Sequence, residues 1–584
     1  MFKDVFGFLL IFLFTVFIAI PFGRYMKKVY RNEKSILDFL TPVENFIFKL
    51  CRIDPDATMT WKKYLTTLLT IQVFWLSFAF FMLVFQGKLF LNPSAIPGME
   101  WTLALHSAIS FLTSTNLQHY SGESGASYLS QTAVFTFLQF VSGATSLAAG
   151  VAIVRGLRPD SHPGIGNFFS DFLKSCTRIL LPLSIIVAII FMAMGMPMTF
   201  KGSAKIITLQ GDKVKVARGP VASMIPIKEL GSNGGGFFGA NDAHPFENPN
   251  FAAFILHFII VFLLPFAFVF FIGYYLNNKK FSWMLFSVMT AGFIMLAIPI
   301  VKQESAGNPR ITALGINQSA GNMEGKEVRF GVNYSALYCA ENIVIPAGTV
   351  AAVHDSFMPQ SDLAMLVGMQ VDAFYGGLGT GWINMFIFLV IAVFIGTLMI
   401  GRSPELFGKK IGIAEMQVAV GVNVLQLFVP VCLAAIACFI YMKIGNPNLG
   451  WLTNTGPHGF TTMLYEYITS AAGNGSNFAG LNNNTPFWNL TTSLAMLTGR
   501  FVPIIGGLLI IGFMREKKYI PSSSGTLQTD SYTFGAFLFA VIIVLSVLSL
   551  FVILMAGPIA EHFSLIKTNR LSVLTMLSPF KPLS

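Results

Sequence analysis

Long apolar segments separated by polar loops dominate the pattern of this chain. Ten of these segments are close to the length of about 20 residues that an α-helix needs to cross a bilayer. We therefore predict ten transmembrane helices, near residues 5–22, 64–86, 129–154, 178–198, 251–276, 282–302, 373–400, 416–443, 486–513 and 532–556.

A second, shorter pattern recurs between these helices. Four connections contain a mildly apolar segment that is too short to span a bilayer, which we call a half-helix. Small and polar residues follow each half-helix at once, and we call these stretches the strips. The half-helices read LALHSAISFLTS, VASMIPIKELGS, NYSALYCAENIVI and FTTMLYEYITSAA. The strips read TSTNLQHYSGE, SNGGGFFGAN, PAGTVAAVHDS and GNGSNFAGLNNN.

The order helix, half-helix, strip, helix thus occurs four times. Repetition of a supersecondary unit is typical of a fold assembled from repeats. The sequence predicts a single all-α membrane domain with four pseudo-repeats around one filter, at 64–154, 178–276, 282–400 and 416–513. The helices at 5–22 and 532–556 are predicted to flank these repeats.

The strips predict a site for a monovalent cation. Non-helical backbone at membrane depth occurs only where it is buried in protein or lines an aqueous cavity. Four strips around one axis would expose carbonyl oxygens that replace the hydration shell of an ion. No Asp or Glu directly follows a half-helix, whereas sites for Ca²⁺ or Mg²⁺ normally use carboxylates.

Composition and charge agree with a membrane protein. Of the 584 residues, 54% are hydrophobic and 11% are charged, against about 25% charged in soluble domains. The net charge of +11 does not require a nucleic acid, since membrane proteins collect Lys and Arg on cytoplasmic loops. If the N-terminus is external, the segments 24–63, 155–178, 279–280, 402–410 and 515–518 are cytoplasmic and hold 21 of the Lys and Arg residues. Both termini are therefore predicted to be external.

The chain contains no recognisable source of energy and no metal motif. It lacks a GxxxxGK[ST] phosphate loop and a DKTG phosphorylation motif, so ATP hydrolysis is expected in a partner rather than in this chain. The five cysteines are scattered without CxxC spacing, and the histidines form no HExxH motif. No cofactor other than a transported ion is predicted.

Several longer motifs resemble the KdpA family, the potassium-binding subunits of bacterial Kdp potassium-transporting ATPases. These motifs are NGGGFFGANDAHPFENP, NMEGKEVRFGV, AAVHDSFMP, GGLGTGW, LMIGRSPELFGKKI and FAGLNNNTPFWN, which occur in order between about Ser110 and Arg500. The family is similar to K⁺ channels of the Trk/Ktr superfamily, with four pseudo-repeats around a single filter. The resemblance implies high-affinity K⁺ uptake in the bacterial inner membrane.

The resemblance implies a set of filter residues, one group from each strip. They are Thr113, Ser114, Thr115 and Asn116; Ser232, Asn233 and Gly234; Ala347, Gly348 and Thr349; and Gly473, Asn474 and Gly475. The family often has Asn at position 114, Cys at 347 and Asn at 473. Because coordination is mainly by backbone oxygens, we expect selectivity to survive these departures and affinity to shift.

The resemblance also implies residues at the two ends of the filter. Gln118 is expected at the outer mouth, and Asp372, Arg402 and Arg500 are expected near the inner half of the membrane, where they would gate the ion. The family more often has Glu at position 372. His244 and His354, just beyond two strips, are expected to hold those strips by hydrogen bonds.

The family implies partners, and two other functional classes remain open. The implied partners are a P-type ATPase subunit, KdpB, which receives K⁺ through an intramembrane tunnel, together with the small KdpC and KdpF subunits. One alternative is a stand-alone K⁺ channel or Trk/Ktr-type uptake subunit driven by membrane potential. The other is a secondary transporter, but its two inverted repeats would differ from four repeats in one orientation.

Overall fold

The computed structural model describes residues 2–158, 164–521 and 527–566. Across these ranges the chain is predominantly helical, and ten helices are long and apolar enough to cross a membrane. The order helix, half-helix, strip, helix occurs four times along the described chain. The predicted fold class, an all-α membrane protein with about ten spans, is confirmed.

Ten spans account for most of the structure. Seven of them are single helices: α1 (Phe2–Tyr30), α3 (Trp61–Val84), α10 (Phe251–Tyr275), α11 (Lys279–Ala306), α15 (Thr380–Met399), α16 (Ile413–Ile444) and α19 (Pro486–Arg515). The other three include a π-helical turn. In these spans the turn Ser130–Thr136 precedes α6 (Phe137–Gly156), the turn Ser175–Leu180 joins α7 (Phe168–Lys174) to α8 (Leu181–Ala193), and the turn Met555–Ile559 extends α20 (Tyr532–Leu554).

Shorter elements lie between the spans. The half-helices are α4 (Trp101–Leu112), α9 (Val221–Leu230), α13 (Gly331–Val344) and α18 (Gly456–Ala471). The remaining helices are α2 (Thr41–Leu50), α5 (Gly122–Gly125), α12 (Pro309–Ala313), α14 (Pro359–Val371) and α17 (Asn446–Leu449). Two antiparallel hairpins complete the described fold, β1 (Ala204–Ile207) with β2 (Lys213–Val216) and β3 (Glu405–Leu406) with β4 (Lys409–Lys410).

Local signals explain where several of these helices begin. The Glu100 carboxylate accepts hydrogen bonds from the backbone N–H groups of Thr102 (2.8 Å) and Leu103 (3.1 Å), which caps the first half-helix. Asn250 caps α10 in the same way, through a bond of 3.0 Å from the Ala253 N–H. These bonds satisfy backbone donors that a helix N-terminus leaves without an intrahelical partner.

Burial separates inner from outer spans. Almost all residues of α6, α10 and α15 are buried, and each of these helices directly follows a strip or the segment beyond it. By contrast α1, α8 and α16 expose large apolar side chains such as Phe17, Ile189 and Phe439. Continuous exposed apolar faces on spanning helices are what contact with lipid requires.

The structure corrects the predicted helix at 373–400. The helix begins only at Thr380, and a separate helix, α14, ends at Val371. Asp372 adopts a left-handed conformation (φ 39°) and ends α14, and Gly376 (φ 60°) and Gly379 (φ 79°) turn the chain before α15 starts. The third repeat therefore has a broken second helix, with an irregular segment 372–379 between its two parts.

The helix predicted at 178–198 begins earlier and ends earlier, over Phe168–Ala193. Its first turns carry Asp171, Lys174 and Arg178 and belong to the segment 155–178, which the sequence analysis placed in the cytoplasm. In the structure two of these charges are paired, because Asp171 accepts from Arg155 (2.7 Å) and Arg178 donates to Glu44 (2.6 Å). Pairing between segments distant in sequence hides the charge and lets the helix extend.

Candidate ion-binding site

The four strips meet at one point in the centre of the molecule. A Cβ atom added at Gly234 would lie 2.6 Å from the carbonyl oxygen of Thr115, 2.7 Å from that of Asn474 and 3.1 Å from the Cα of Gly348. Each of the four strips thus contributes backbone to the same small volume. A side chain at position 234 would fill that volume, so glycine is required by the close approach of the chains.

Two of the carbonyl oxygens at this point have no hydrogen-bond donor in the described part of the chain. Among the residues that the structure describes, neither the Thr115 nor the Asn474 carbonyl oxygen accepts a hydrogen bond. Buried carbonyl groups are nearly always paired, with protein, water or a ligand. The convergence of such oxygens is suited to a desolvated cation.

Three of the four strips share a backbone conformation at their first turn. Two residues after the half-helix, Ser114 (φ 60°), Ser232 (φ 50°) and Gly473 (φ 66°) are all left-handed. In the third strip this position is Pro346, whose ring holds φ near −65°. In the first and fourth strips the left-handed residues alternate with ordinary ones, since Asn116 (φ 55°) and Gly475 (φ 81°) are also left-handed. The third strip departs from this shared geometry at its first turn.

Side chains hold the second strip from behind. Asn233 donates from Nδ2 to the Gln139 carbonyl oxygen (3.1 Å) and accepts from Ser142 Oγ (3.3 Å), both on the helical segment around α6. Gln139 Nε2 in turn donates to the Gly234 carbonyl oxygen (3.2 Å). The side chain of Asn233 is therefore committed to bracing the strip.

A single residue of α13 joins the third and fourth strips. The Asn342 side-chain oxygen accepts from the Thr349 backbone N–H (3.2 Å) and from the Thr349 hydroxyl. Its backbone carbonyl oxygen accepts from Asn474 Nδ2 (2.7 Å). In the first strip, the Thr113 and Thr115 hydroxyls bond to each other (2.9 Å). All four strips are thus fixed by polar contacts away from the point where they converge.

Gln118 follows the residues of the first strip that are proposed to bind the ion, and it contacts the second strip. Its Oε1 accepts from the Gly236 N–H (2.8 Å), and its Nε2 donates to the Gly236 carbonyl oxygen (3.0 Å). The side chain therefore links the first two strips above the convergence point.

The two histidines beyond the strips are neutral and hold neighbouring groups. Burial lowers the pKa of His244, whose Nδ1 accepts from the Phe246 N–H (3.1 Å). Burial and the nearby Lys326 ammonium lower the pKa of His354 to about 3. Its Nδ1 bonds to the Tyr465 hydroxyl (2.8 Å), and that hydroxyl bonds to Ser476 Oγ (2.7 Å) beside the fourth strip.

A cavity of about 20 Å³ lies at the inner end of the strips. Ser114, Ser232, Pro346 and Gly473, one residue from each strip at equivalent positions, contribute to its lining. This volume has room for about one water-sized particle. An ion leaving the strips on this side would enter this cavity first.

Asp372 and Arg500 line the same cavity. Arg500 donates to Ser114 Oγ (2.9 Å), to the Ser142 carbonyl oxygen (3.2 Å) and to Ser146 Oγ. Asp372 accepts from Asn384 Nδ2 (2.7 Å) through one oxygen, and its other oxygen, Oδ1, has no hydrogen-bond partner among the described residues. The sequence prediction had grouped these two with Arg402, whose side chain is exposed beyond the inner end of α15 and does not reach the cavity.

A buried ionic cluster behind the second strip was missed by the sequence analysis. Lys228 Nζ lies 2.6 Å from Asp242 Oδ1, 3.2 Å from Glu229 Oε1 and 3.3 Å from Glu247 Oε2, and all four side chains are fully buried. His257 Nδ1 lies 3.0 Å from Glu229 Oε1. Lys228 and Glu229 sit in the last turn of α9, so the cluster fixes the helix end from which the second strip starts.

One signal in the sequence could have revealed this cluster. A charged residue within a membrane segment is costly and marks a structural or functional contact by default. Lys228, Glu229 and His257 satisfy that criterion as plainly as Arg500 does. Their partners Asp242 and Glu247 lie in the segment beyond the strip, at a separation that no sequence pattern specifies.

Comparison with known proteins shows which family this chain resembles. A family model described as KdpA, potassium-transporting ATPase A subunit, matches residues 9–563. A relative from Flavobacterium psychrophilum named potassium-transporting ATPase potassium-binding subunit is 48% identical over 571 residues, covering 96% of this chain and 99% of that protein. A relative of the same name from Bacteroides thetaiotaomicron is 44% identical over 555 residues, covering 94% of this chain and 97% of that protein.

A solved structure also resembles the chain. The crystal structure of the potassium transporter TrkH from Vibrio parahaemolyticus aligns with a TM-score of 0.49 at 16% identity, covering 85% of this chain and 95% of that one.

Proposed function

The chain belongs to the KdpA family of potassium-transporting ATPase A subunits, and we propose that it is the potassium-binding subunit of an ATP-driven K⁺ uptake complex. In this proposal it binds and dehydrates external K⁺ between the four strips. The ion then passes to a partner that hydrolyses ATP.

The convergence of the strips at Gly234 carries this proposal. Backbone oxygens from two strips and backbone of the other two meet there, and the polar side chains around them bond to protein groups. Carbonyl oxygens that replace a hydration shell are the means by which K⁺ filters select their ion. The proposed filter comprises Thr113–Asn116, Ser232–Gly234, Ala347–Thr349 and Gly473–Gly475.

The cavity below the strips supports a role for Asp372 and Arg500 at the filter exit. The carboxylate attracts a cation and the guanidinium repels it, and both line the small volume that the ion would enter first. Gln118 would shape the outer mouth. Arg402, exposed at the inner surface, fits a contact with the cytoplasm or a partner better than a gate.

The family suggests the partners, and the distribution of Lys and Arg suggests the orientation. We propose a KdpB-like P-type ATPase subunit as the site of ATP hydrolysis, with KdpC-like and KdpF-like subunits completing the complex. The 21 Lys and Arg residues on the segments predicted to be cytoplasmic favour external termini in the bacterial inner membrane. The relatives are named as ATPase subunits, which does not favour the alternative of a stand-alone channel.

The experiment that tests the filter is a K⁺ titration of the ATPase activity of the assembled complex with Gly234→Ala. The added methyl group would meet the Thr115 and Asn474 carbonyl oxygens. We expect the K⁺ concentration for half-maximal activity to rise by about tenfold or more, equivalent to about 1.4 kcal/mol of lost binding.

Gly421→Ala is the matched control, because a Cβ at Gly421 has no neighbour within 4 Å and the residue lies inside α16. This variant should leave the K⁺ dependence unchanged. An unaltered K⁺ dependence of Gly234→Ala would remove Gly234 from the filter. K⁺ leak through the chain alone, independent of ATP and partner, would instead favour the channel alternative.

A further inference from the structure

Three elements that are distant in sequence bring ionisable side chains together beyond the predicted outer ends of the spans. Asp362 lies in the first turn of α14, His458 in the first turn of α18 and Glu561 in the helical extension of α20. One ligand atom from each of the three lies within 4.8 Å of the others. Neither the strips nor the cavity beneath them includes any of these residues.

Asp362 is the least explained member of this group. Its side chain is fully buried, and within the described ranges neither carboxylate oxygen has a hydrogen-bond partner. Leaving a buried carboxylate without a partner is costly, so such a group calls for an explanation such as a bound ion. Because Asp362 lies close to His458 and Glu561, an ion that binds its unpaired carboxylate oxygens could also bind these two side chains.

His458 is held in the orientation that a metal ligand requires. Its Nε2 lies 2.9 Å from Asp355 Oδ1, while its Nδ1 lies 3.0 Å from Glu561 Oε1. Metal-binding histidines usually donate their other ring N–H to a carboxylate, which fixes the tautomer and strengthens the ligand. Asp355 supplies that carboxylate, and it leaves Nδ1 directed at the space shared with Glu561.

The charge and the access of the cluster also favour a cation. Asp355, Asp362 and Glu561 surround a single imidazole, so the group is negative even when His458 is protonated. The side chains of His458, Asp355 and Glu561 are 16%, 18% and 19% exposed, which opens a route from solvent to the buried Asp362.

The cluster around Lys228 provides an internal contrast. Glu229, Asp242 and His257 are placed at a similar mutual distance, but the Lys228 ammonium lies within 3.3 Å of three carboxylates there. In that cluster a lysine ammonium already occupies the space between the carboxylates, whereas the cationic group beside Asp362 is the imidazolium of His458, which can release a proton when a metal ion binds. At Asp362 no described Lys or Arg makes such a contact.

We propose that Asp362, His458 and Glu561 bind one divalent transition-metal ion of the class of Zn²⁺. An imidazole with two carboxylates is a donor set typical of Zn²⁺ rather than of K⁺, Mg²⁺ or Ca²⁺. Because both ring nitrogens face carboxylates, His458 in the metal-free form carries a proton on each nitrogen. Binding at Nδ1 releases that proton to solvent, and the Nε2 proton stays on the bond to Asp355.

The metal would tie the last described helix to the fourth half-helix and to the outer part of the broken helix. It would therefore stabilise the molecule without contacting the transported ion. Its test is independent of the proposed K⁺ function.

The test uses the full chain, purified in detergent, treated with a chelator and then supplied with ZnCl₂. Zinc per chain is measured by elemental analysis after gel filtration, and the unfolding temperature is measured with and without Zn²⁺. We expect the wild type to retain about one more Zn²⁺ per chain than Asp362→Asn, and to unfold at a higher temperature when Zn²⁺ is present, because a ligand that binds the native state stabilises it.

Glu561→Gln serves as a second variant at the more exposed side of the cluster, in case Asp362→Asn does not fold. Asp212→Asn, in the exposed turn of the hairpin between β1 and β2, is the matched control and should bind zinc as the wild type does. Equal zinc content in the wild type and in the folded cluster variants would overturn the proposal. So would a wild type whose unfolding temperature does not respond to Zn²⁺.

Discussion

At the scale of single residues, the side chains around the strips hold the backbone in place and leave carbonyl oxygens for another ligand. Asn342 contacts both the third and the fourth strip. Asn233 and Asn474 direct their amides into protein, away from the point of convergence. Retained selectivity despite the departures at positions 114, 347 and 473 stays a prediction.

The low pKa of the buried His354 predicts that the folded chain loses stability in acid. Its pKa is about 3 in the folded chain against an ordinary value of 6.5, because burial and Lys326 disfavour its charge. As pH falls from about 6.5 to about 3, His354 binds a proton in the unfolded chain but not in the folded chain. The free energy of unfolding therefore decreases. Between pH 7 and pH 5 this loss is about 2 kcal/mol.

The variant His354→Asn should lose less stability over that pH interval, since an amide does not titrate and its oxygen can still accept from the Tyr465 hydroxyl. The measurement is the change in unfolding temperature between pH 7 and pH 5, compared with the wild type. His244→Asn is a useful companion, because its ring is less buried and its effect should be smaller. Identical pH dependence in wild type and His354→Asn would contradict the assignment of a neutral buried ring.

At the scale of elements, the sequence was sufficient for helices with a strong apolar signal and insufficient where segments depend on one another. The four half-helices fall where the short apolar runs predicted them, from Trp101–Leu112 to Gly456–Ala471. The helix α14 was missed because its 13 residues include Ser361 and Asp362 and resemble a polar tail of the third strip. The break between α14 and α15 depends on backbone angles that hydrophobicity does not encode.

In the candidate site, too, the sequence predicts local features but not contacts between distant segments. The strips and the cavity residue Arg500 could be found from composition and family motifs, because both signals lie within a few consecutive residues. The Lys228 cluster could not be assembled from sequence, because its members come from α9, the segment beyond the second strip and α10. Only folding brings these carboxylates around one ammonium group.

Lys228→Met tests whether this cluster supports the end of α9. Removing the ammonium would leave Asp242, Glu229 and Glu247 buried without their shared cation. Breaking a buried ion pair in this way costs about 3–5 kcal/mol, so the unfolding temperature should fall markedly. Thermal unfolding in detergent, followed by the loss of a monodisperse gel-filtration peak, measures the effect.

Lys213→Met, at an exposed position of β2, is the matched control and should unfold like the wild type. The double variant Lys228→Met with Asp242→Asn removes one negative charge with the positive one and should recover part of the lost stability. If Lys228→Met unfolds at the wild-type temperature, the ammonium does not hold the cluster.

At the scale of the whole molecule, burial separates spans that pack inside the protein from spans with exposed apolar faces. The most buried spans are α6 and α10, and the exposed apolar faces of α1 and α16 are left for lipid or a partner. The orientation across the bilayer rests on the distribution of Lys and Arg, which geometry alone does not determine.

Cys51 offers a direct test of that orientation. It is exposed in the segment 24–63, which we expect in the cytoplasm, whereas Cys176 and Cys339 are buried and Cys432 and Cys438 lie half-buried within the spanning helix α16. A membrane-impermeant maleimide should therefore label the chain in inverted vesicles and not in right-side-out vesicles, as measured by mass shift on a gel.

Cys51→Ser should abolish the labelling in inverted vesicles. Adding Asp212→Cys to that variant provides the opposite control, since the turn between β1 and β2 is expected outside and should react in right-side-out vesicles. Labelling of Cys51 in right-side-out vesicles would reverse the proposed topology.

The proline at position 346 has a consequence for how this protein can change over evolutionary time. Three strips turn at this level through a left-handed residue, and the third cannot, so the ring is unequal from the start. In a homotetramer every substitution is copied four times, and a tolerable change in one subunit becomes four simultaneous changes. Here one codon alters one strip, so the four strips can diverge in small, separately selectable steps.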